Sequence, residues 1–396
     1  MPVIAHRGAQ MPPSPIRKLV PYAEAAKDRG IDVIHLNIGQ PDIETPPAII
    51  DAVRTTNLHV LEYSHSAGFQ SYRDKLATYY QRNGIDVKSE HIIITVGGSE
   101  AIQFSLLACL DPGDEIIIPE PFYANYNGFG TSAGVKIVPI HSSIESGFEL
   151  PPIEEFEKAV SPKTKAIMIC NPNNPTGYLY TSEELEVLKT ICLKHNLFLF
   201  SDEAYREFCY DGKVHKSALC IEGLDENVVL MDTISKRYSA CGARIGSLVT
   251  RNKSVLNAVM KFAQARLSPP SLEQILGEAA VDLPDDYFKS VHEEYTRRRD
   301  VLVKRLQTIE GVLCPTPAGA FYVMAKLPVK DSDEFCRWLL ESFEHKGKTV
   351  MLAPATGFYS TPGRGKDEVR MAYVLGVDEI NQAMDCLEAA LKLYED

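Results

Sequence analysis

The chain has 396 residues, 45% of them apolar, which is enough for a large core and more than one domain normally holds, so two domains are expected. Acidic residues outnumber basic ones by 53 to 41, and the net charge of -12 excludes a polyanion-binding surface as the main function; nucleic acid is not an expected partner. Residues 1–18 lack the apolar core of a secretory leader, no run is long enough to cross a bilayer, and the nine cysteines form no CxxC pair, so a reducing, cytoplasmic setting without disulfides or a metal site is expected.

From about residue 90 to residue 250, short apolar runs alternate with longer amphipathic ones. The runs are Ile92 to Val96, Glu115 to Ile118, Lys136 to Ile140, Ala166 to Cys170, Leu197 to Phe200, Val228 to Met231 and Gly246 to Val249. They predict strands crossed by helices, hence a mostly parallel sheet of the α/β class. Thr181 and Glu184 form a capping box, and Leu185, Leu188 and Cys192 then recur on one face until Asn196, which predicts one crossover helix. After about residue 280 the texture changes. A charged helix is predicted over Tyr287 to Gln307, strands around Ala320 to Leu327 and Val369 to Val374, and a last helix with Ile380, Met384, Leu387 and Leu391 on one stripe. This part reads as a smaller α+β domain.

Ligands of open α/β sheets bind beyond the carboxyl ends of the strands, and several runs are followed by polar residues. After Val96 comes Gly97-Gly98-Ser99-Glu100-Ala101, where glycines opening a helix leave free amides for a phosphate, although the pair alone is more often ordinary turn chemistry. After Cys170, Asn171-Pro172-Asn173-Asn174-Pro175-Thr176-Gly177 is either a rigid loop or one that fixes an amide against a ligand. Asp202 follows Leu197 to Phe200, with Tyr205 three residues on. A carboxylate there needs a partner, which either a protonated ring nitrogen or the start of a helix would supply. Lys236 lies just past the run Val228 to Met231, where desolvation and a neighbouring cation leave an amine nucleophilic enough for a Schiff base. Arg244, with Thr233 and Ser235, offers a fork and two hydroxyls to a phosphate dianion.

In this order the motifs resemble the class I aminotransferases, fold type I enzymes of pyridoxal 5′-phosphate. The resemblance runs from Asn37-Ile38-Gly39-Gln40-Pro41-Asp42 to Val369-Arg370-Met371, and its most specific stretches are Asn171 to Gly177 and Thr233 to Gly246. It implies a three-layer α/β/α cofactor domain over 46–279 with a seven-stranded, mostly parallel sheet, and a smaller α+β domain formed by 1–45 and 280–396. By the same resemblance Lys236 holds the cofactor and moves the proton at the substrate Cα, and Asp202 pairs with the pyridinium nitrogen. Tyr205 and Asn174 would hydrogen-bond the ring oxygen, and Tyr123 would stack on the ring. Gly98, Ser99, Glu100, Thr233, Ser235 and Arg244 would hold the phosphate, Ser99 and Glu100 through backbone amides. Arg370 would grip the substrate α-carboxylate, helped by Asn174 and the backbone at Gly39. Tyr63 matches the tyrosine that in this family reaches the phosphate of the neighbouring subunit, so a homodimer is expected.

The substrate is less defined. Some bacterial aspartate enzymes of this group place a lysine where Ser99 stands, so a second carboxylate needs another cation here, and Arg266, near the stretch from which relatives send a side chain into the partner's site, is expected to supply it. Thr233 stands where serine is usual and keeps the hydroxyl. The expected reaction is ping-pong transfer of an amino group from an L-amino acid, aspartate first, to 2-oxoglutarate. Aromatic, methionine and alanine donors are alternatives. So is a carbon–sulfur β-lyase on the same cofactor, which would release pyruvate and ammonia. An effector-binding domain of a transcription regulator is disfavoured, since no DNA-binding module fits before Gly39.

Overall fold

In the computed structural model, which describes residues 2–394, the strand β1 (Asp32–His35) precedes seven that share one sheet. These are β2 (Ile92–Thr95), β3 (Glu115–Glu120), β4 (Lys136–His141), β5 (Thr164–Cys170), β6 (Phe198–Asp202), β7 (Val228–Thr233) and β8 (Gly246–Val249). Their order is β2-β8-β7-β6-β5-β3-β4, with β8 antiparallel to both neighbours and the other pairings parallel. Alternate side chains enter opposite layers. Ile167, Ile169, Leu199 and Leu230 pack in the layer of helix Ser182–His195, and Ala166, Met168, Phe200 and Met231 in that of helices Gly97–Cys109 and Lys253–Arg266. Burial on both faces is why these strands read as continuous apolar runs rather than alternating ones.

Helix Ser182–His195 begins and ends where its sequence signals lie. Thr181 Oγ1 accepts from Glu184 N at 3.2 Å, Glu184 Oε2 accepts from Thr181 N at 2.7 Å, and Asn196 closes the helix in the left-handed region at φ 52°.

The remaining strands are β9 (Tyr322–Lys326), β10 (Lys348–Met351), β11 (Ala353–Pro354) and β12 (Glu368–Ala372). β12 lies between β11 and β9, antiparallel to both, and β1 pairs in parallel with β10, Asp32 opposite Lys348. Helices Asp285–Gln307 and Val377–Leu393 pack around the same core, through Leu302, Leu306, Met384 and Leu387. The first of them starts two residues earlier than predicted, because Asp285 and Asp286 after Pro284 suit the first turn.

The register sets up the site. Cys170 pairs with Asp202, Asp202 with Met231, Thr233 with Gly246 and Gly246 with Thr95, so the ends of β5, β6 and β7 and the turn after β2 meet along one edge of the sheet.

Candidate active site

Beyond that edge lies a cavity of about 440 Å³. Gly98, Ser99, Tyr123, Asn174, Asp202 and Tyr205 border it, with Thr233, Ser235, Lys236 and Arg244 after β7. Gly39, Tyr322 and Arg370 bring the small sheet and the residues after β1 to the same space. Motifs spread over more than half of the sequence therefore converge.

Lys236 sits in a single helical turn, Ile234–Arg237, capped by Thr233, whose Oγ1 accepts from Ser235 N at 3.2 Å and hydrogen-bonds Ser235 Oγ at 2.8 Å. Lys236 Nζ donates to Gly39 O at 2.7 Å and lies 3.6 Å from Cys241 Sγ. Gly39 passes so close to Tyr322 that a Cβ there would fall 1.7 Å from its hydroxyl oxygen. Only glycine lets that carbonyl reach the amine.

Two aspartates end adjacent strands in different circumstances. Asp232 accepts from Arg237 Nη2 at 2.8 Å on both oxygens and from Tyr80 OH at 2.9 Å, with Arg206 3.5 Å away. Burial alone would raise its carboxyl pKa, but Arg206 and Arg237 hold it below the usual range. Asp202 accepts from Tyr126 OH at 2.8 Å and Ala204 N at 3.2 Å, and among the described residues no cation pairs with it. Burial pushes its pKa up to about 6, against the opposing pull of those two hydrogen bonds. A turn rather than a helix follows Asp202, so the helix-capping alternative is not realised.

Arg370, on β12, is the counterpart of Asp202. It is 2% exposed, donates from Nη1 to Asn174 Oδ1 at 3.1 Å and from Nη2 to Asn37 O at 2.6 Å, and leaves Nε without a partner. Its guanidinium carbon lies 4.5 Å from the Tyr322 ring centroid and 4.8 Å from that of Phe358. Among the described residues no carboxylate meets it. A buried carboxylate and a buried guanidinium, each uncompensated, are costly in a folded chain. Both border one cavity, which calls for a cation against Asp202 and an anion on Arg370.

The third feature suits a phosphate. Helix Gly97–Cys109 opens at the cavity with Gly97 at φ 70°, where a Cβ would meet Arg244 Nη2 at 2.7 Å. A Cβ on Gly246 would meet Gly97 C at 2.5 Å. The two glycines thus let β8 and Arg244 close onto the first turn of the helix, where amides are free. An amine, a lone carboxylate, and amides with an arginine and hydroxyls fit pyridoxal 5′-phosphate, which carries an aldehyde, a protonable ring nitrogen and a dianionic phosphate.

Three sequence expectations lie away from this cavity. Arg266 does not line it: Nη1 donates to Glu100 Oε2 at 2.7 Å, and Nη2 to Ser66 O and Ile94 O at 3.0 and 3.3 Å. Its guanidinium is thus held by acceptors of its own chain, outside that chain's cavity. The Glu100 side chain is committed to Arg266 and to Val96 N, at 2.8 Å, which leaves only its backbone for a phosphate. Tyr63 is 78% exposed and does not border its own chain's cavity.

Sequence reasoning also missed residues. Tyr126 bonds Asp202 but reads as an ordinary position in helix Asn125–Ala133. Tyr322, whose hydroxyl lies 3.0 Å from that of Tyr205, reads as a core strand residue. Asn37, which gives Arg370 its carbonyl, carries no signal beyond lying beside Gly39.

Comparison with known proteins agrees with this geometry. The family model described as aminotransferase class I and II matches residues 31–383. The aspartate aminotransferase of Bacillus subtilis (strain 168) is 33% identical over 393 residues, covering 96% of this chain and 97% of its own. Aromatic-amino-acid aminotransferase 2 of Thermococcus litoralis is 32% identical, covering 96% of each. The solved structure of an alanine aminotransferase from Pyrococcus furiosus superposes with a TM-score of 0.90 at 31% identity, over 99% of this chain and 100% of that one. With the sheet order, the uncompensated charges and these matches in agreement, the chain belongs to the class I and II aminotransferases, pyridoxal 5′-phosphate-dependent transferases of fold type I.

Proposed function

We propose that the chain passes the amino group of L-aspartate to 2-oxoglutarate, working as a cytoplasmic homodimer in which residues 46–279 form the cofactor domain and 1–45 with 280–396 the second domain. The observation that carries the chemistry is that the Lys236 amine, the Asp202 carboxylate and the Arg370 guanidinium border one cavity, the last two without an ion-pair partner among the described residues. Aspartate is favoured by the name of the Bacillus relative, and aromatic amino acids and alanine are the alternatives that the other two names supply. The nine cysteines are free, Cys170, Cys192, Cys314, Cys336 and Cys386 among them buried, which suits a reducing compartment.

When bound, pyridoxal 5′-phosphate supplies a sink for the electron pair left by breaking the substrate Cα–H bond. Arg244, Thr233 and Ser235 hold its phosphate together with the amides of Gly98, Ser99 and Glu100. Asp202 keeps a proton on the ring nitrogen, Tyr205 and Asn174 donate to the ring oxygen, and Tyr123 packs on a ring face. Arg370, braced by Asn174 and Asn37, grips the α-carboxylate and so fixes the direction of the Cα–H bond. Lys236 would hold the cofactor through its amine. Its Nζ then takes the proton from Cα.

The test is an absorbance spectrum of the holoenzyme titrated with single amino acids. Loss of the cofactor's long-wavelength band with aspartate and its return with 2-oxoglutarate supports the reading. A response to alanine or an aromatic amino acid but not to aspartate moves the donor. Release of pyruvate and ammonia makes the protein a β-lyase.

A further inference from the structure

Among the described residues four cations border the cavity: Lys236, Arg244, Arg370 and Arg17. The first three are occupied in the proposed chemistry by the covalent link, the phosphate and the α-carboxylate. A substrate with two carboxylates brings one further negative charge, and Arg266, paired with Glu100, is not placed to receive it. That leaves Arg17.

Arg17 belongs to a segment that its neighbours fasten down. Pro15 lies over Gly357, where a Cβ would come within 2.0 Å of the Pro15 Cβ. Lys18 is ion-paired with Asp333, and Leu19 is buried in the core that surrounds β1. Ser14 and Ile16 border the cavity beside Arg17. The Arg17 backbone is fixed by its own turn, N donating to Ser14 O at 3.2 Å and O accepting from Val20 N at 3.1 Å. Among the described residues nothing engages its guanidinium in a hydrogen bond or ion pair. An anchored backbone with an uncommitted guanidinium at a cavity wall is what recognition of a planar anion requires, because the fork binds a carboxylate on two parallel bonds.

We propose that Arg17 reads the second carboxylate of a dicarboxylic substrate, so that the segment before β1 determines the substrate class. The inference rests on the aminotransferase reading of the cavity. A charge-assisted pair at a partly solvated wall corresponds to roughly tenfold to a hundredfold in affinity.

The test compares the wild-type holoenzyme with R17L and R17K. Calorimetry measures the binding of succinate and of propionate, which differ in the second carboxylate, and single-turnover kinetics measure aspartate against alanine. In R17L the preference for succinate over propionate, and for aspartate over alanine, is expected to fall roughly tenfold to a hundredfold, with R17K recovering part of it. An unchanged preference in R17L overturns the proposal, as does a wild-type enzyme that binds succinate no better than propionate. In either case transamination of alanine would leave the aminotransferase reading standing. If no amino acid is transaminated, that reading fails on its own, and the succinate comparison still decides the role of Arg17.

Discussion

Asp202 and Asp232 lie at the ends of adjacent strands and are both buried, yet among the described residues only Asp232 has cations beside it. The difference has a measurable sign. The Asp202 carboxyl pKa lies near 6 in the folded chain against the ordinary value of 3.8, so the folded state holds this proton more tightly than the unfolded state. Without the cofactor, this group therefore adds stability as the pH falls through 6 toward 4, by about 3 kcal/mol, and costs the chain that much above pH 6. D202N removes the charge and keeps the shape. The cofactor-free D202N protein is expected to be more stable than the wild type near pH 8, with the gain fading as the pH falls from about 6 toward about 4, while transamination is lost. Denaturant unfolding of both proteins across that range is the check, and a D202N protein that is less stable throughout would mean that Asp202 already has a partner. Arg370 gives a complementary prediction. R370A should raise the KM for amino acids by roughly a hundredfold while leaving cofactor affinity nearly unchanged, since its contacts are with Asn174, Asn37 and the substrate side of the cavity. Equal losses in both would remove it from the α-carboxylate site.

The central sheet was readable element by element because its strands are covered on both faces, and Ile92 to Val96 or Ala166 to Cys170 therefore stand out as unbroken apolar runs. β1 was not, because exposed Asp32 and half-buried His35 bracket only two buried residues, Val33 and Ile34, and its partner β10 lies more than 300 residues away. The site divides in the same way. Asp202 and Lys236 follow strands directly and so announce themselves, whereas Tyr126, Tyr322 and Arg17 matter only through what the fold brings beside them. The pairing of Arg266 with Glu100 was not readable, because the two lie 166 residues apart. The junction of β8 with the helix turn was visible only as two glycines, and it yields a prediction at this scale. A methyl group on Gly246 would meet backbone atoms of Gly97 and Gly98 at 2.5 and 2.7 Å, so neither neighbour has a flexible side chain to move aside. G246A should displace the turn that faces the phosphate, raising the cofactor dissociation constant by roughly tenfold or more before it changes the pH profile of turnover. Equilibrium dialysis of the cofactor checks this, and undiminished affinity would mean that the turn does not hold the phosphate.

For the whole molecule, the exposed stretch that includes Leu58, Val60, Leu61 and Tyr63 is the feature a single chain does not account for. Neighbouring apolar side chains left in water favour an interface, and a second copy that covered them would bring Tyr63 near a cavity it does not border in its own chain. If that is its role, each active site combines Lys236 of one subunit with Tyr63 of the other. A mixing experiment isolates this arrangement. K236A is expected to be inactive for want of the amine, and Y63F to be impaired for want of a hydroxyl for the phosphate. After dissociation and reassembly of the two together, mixed dimers contain one site with both defects and one with neither. Activity above that of either parent is then expected, with a sedimentation mass of two chains. A mixture no more active than its parents, although mixed dimers are demonstrably present, would place Tyr63 outside the partner's site and leave the exposed stretch with a purely adhesive role.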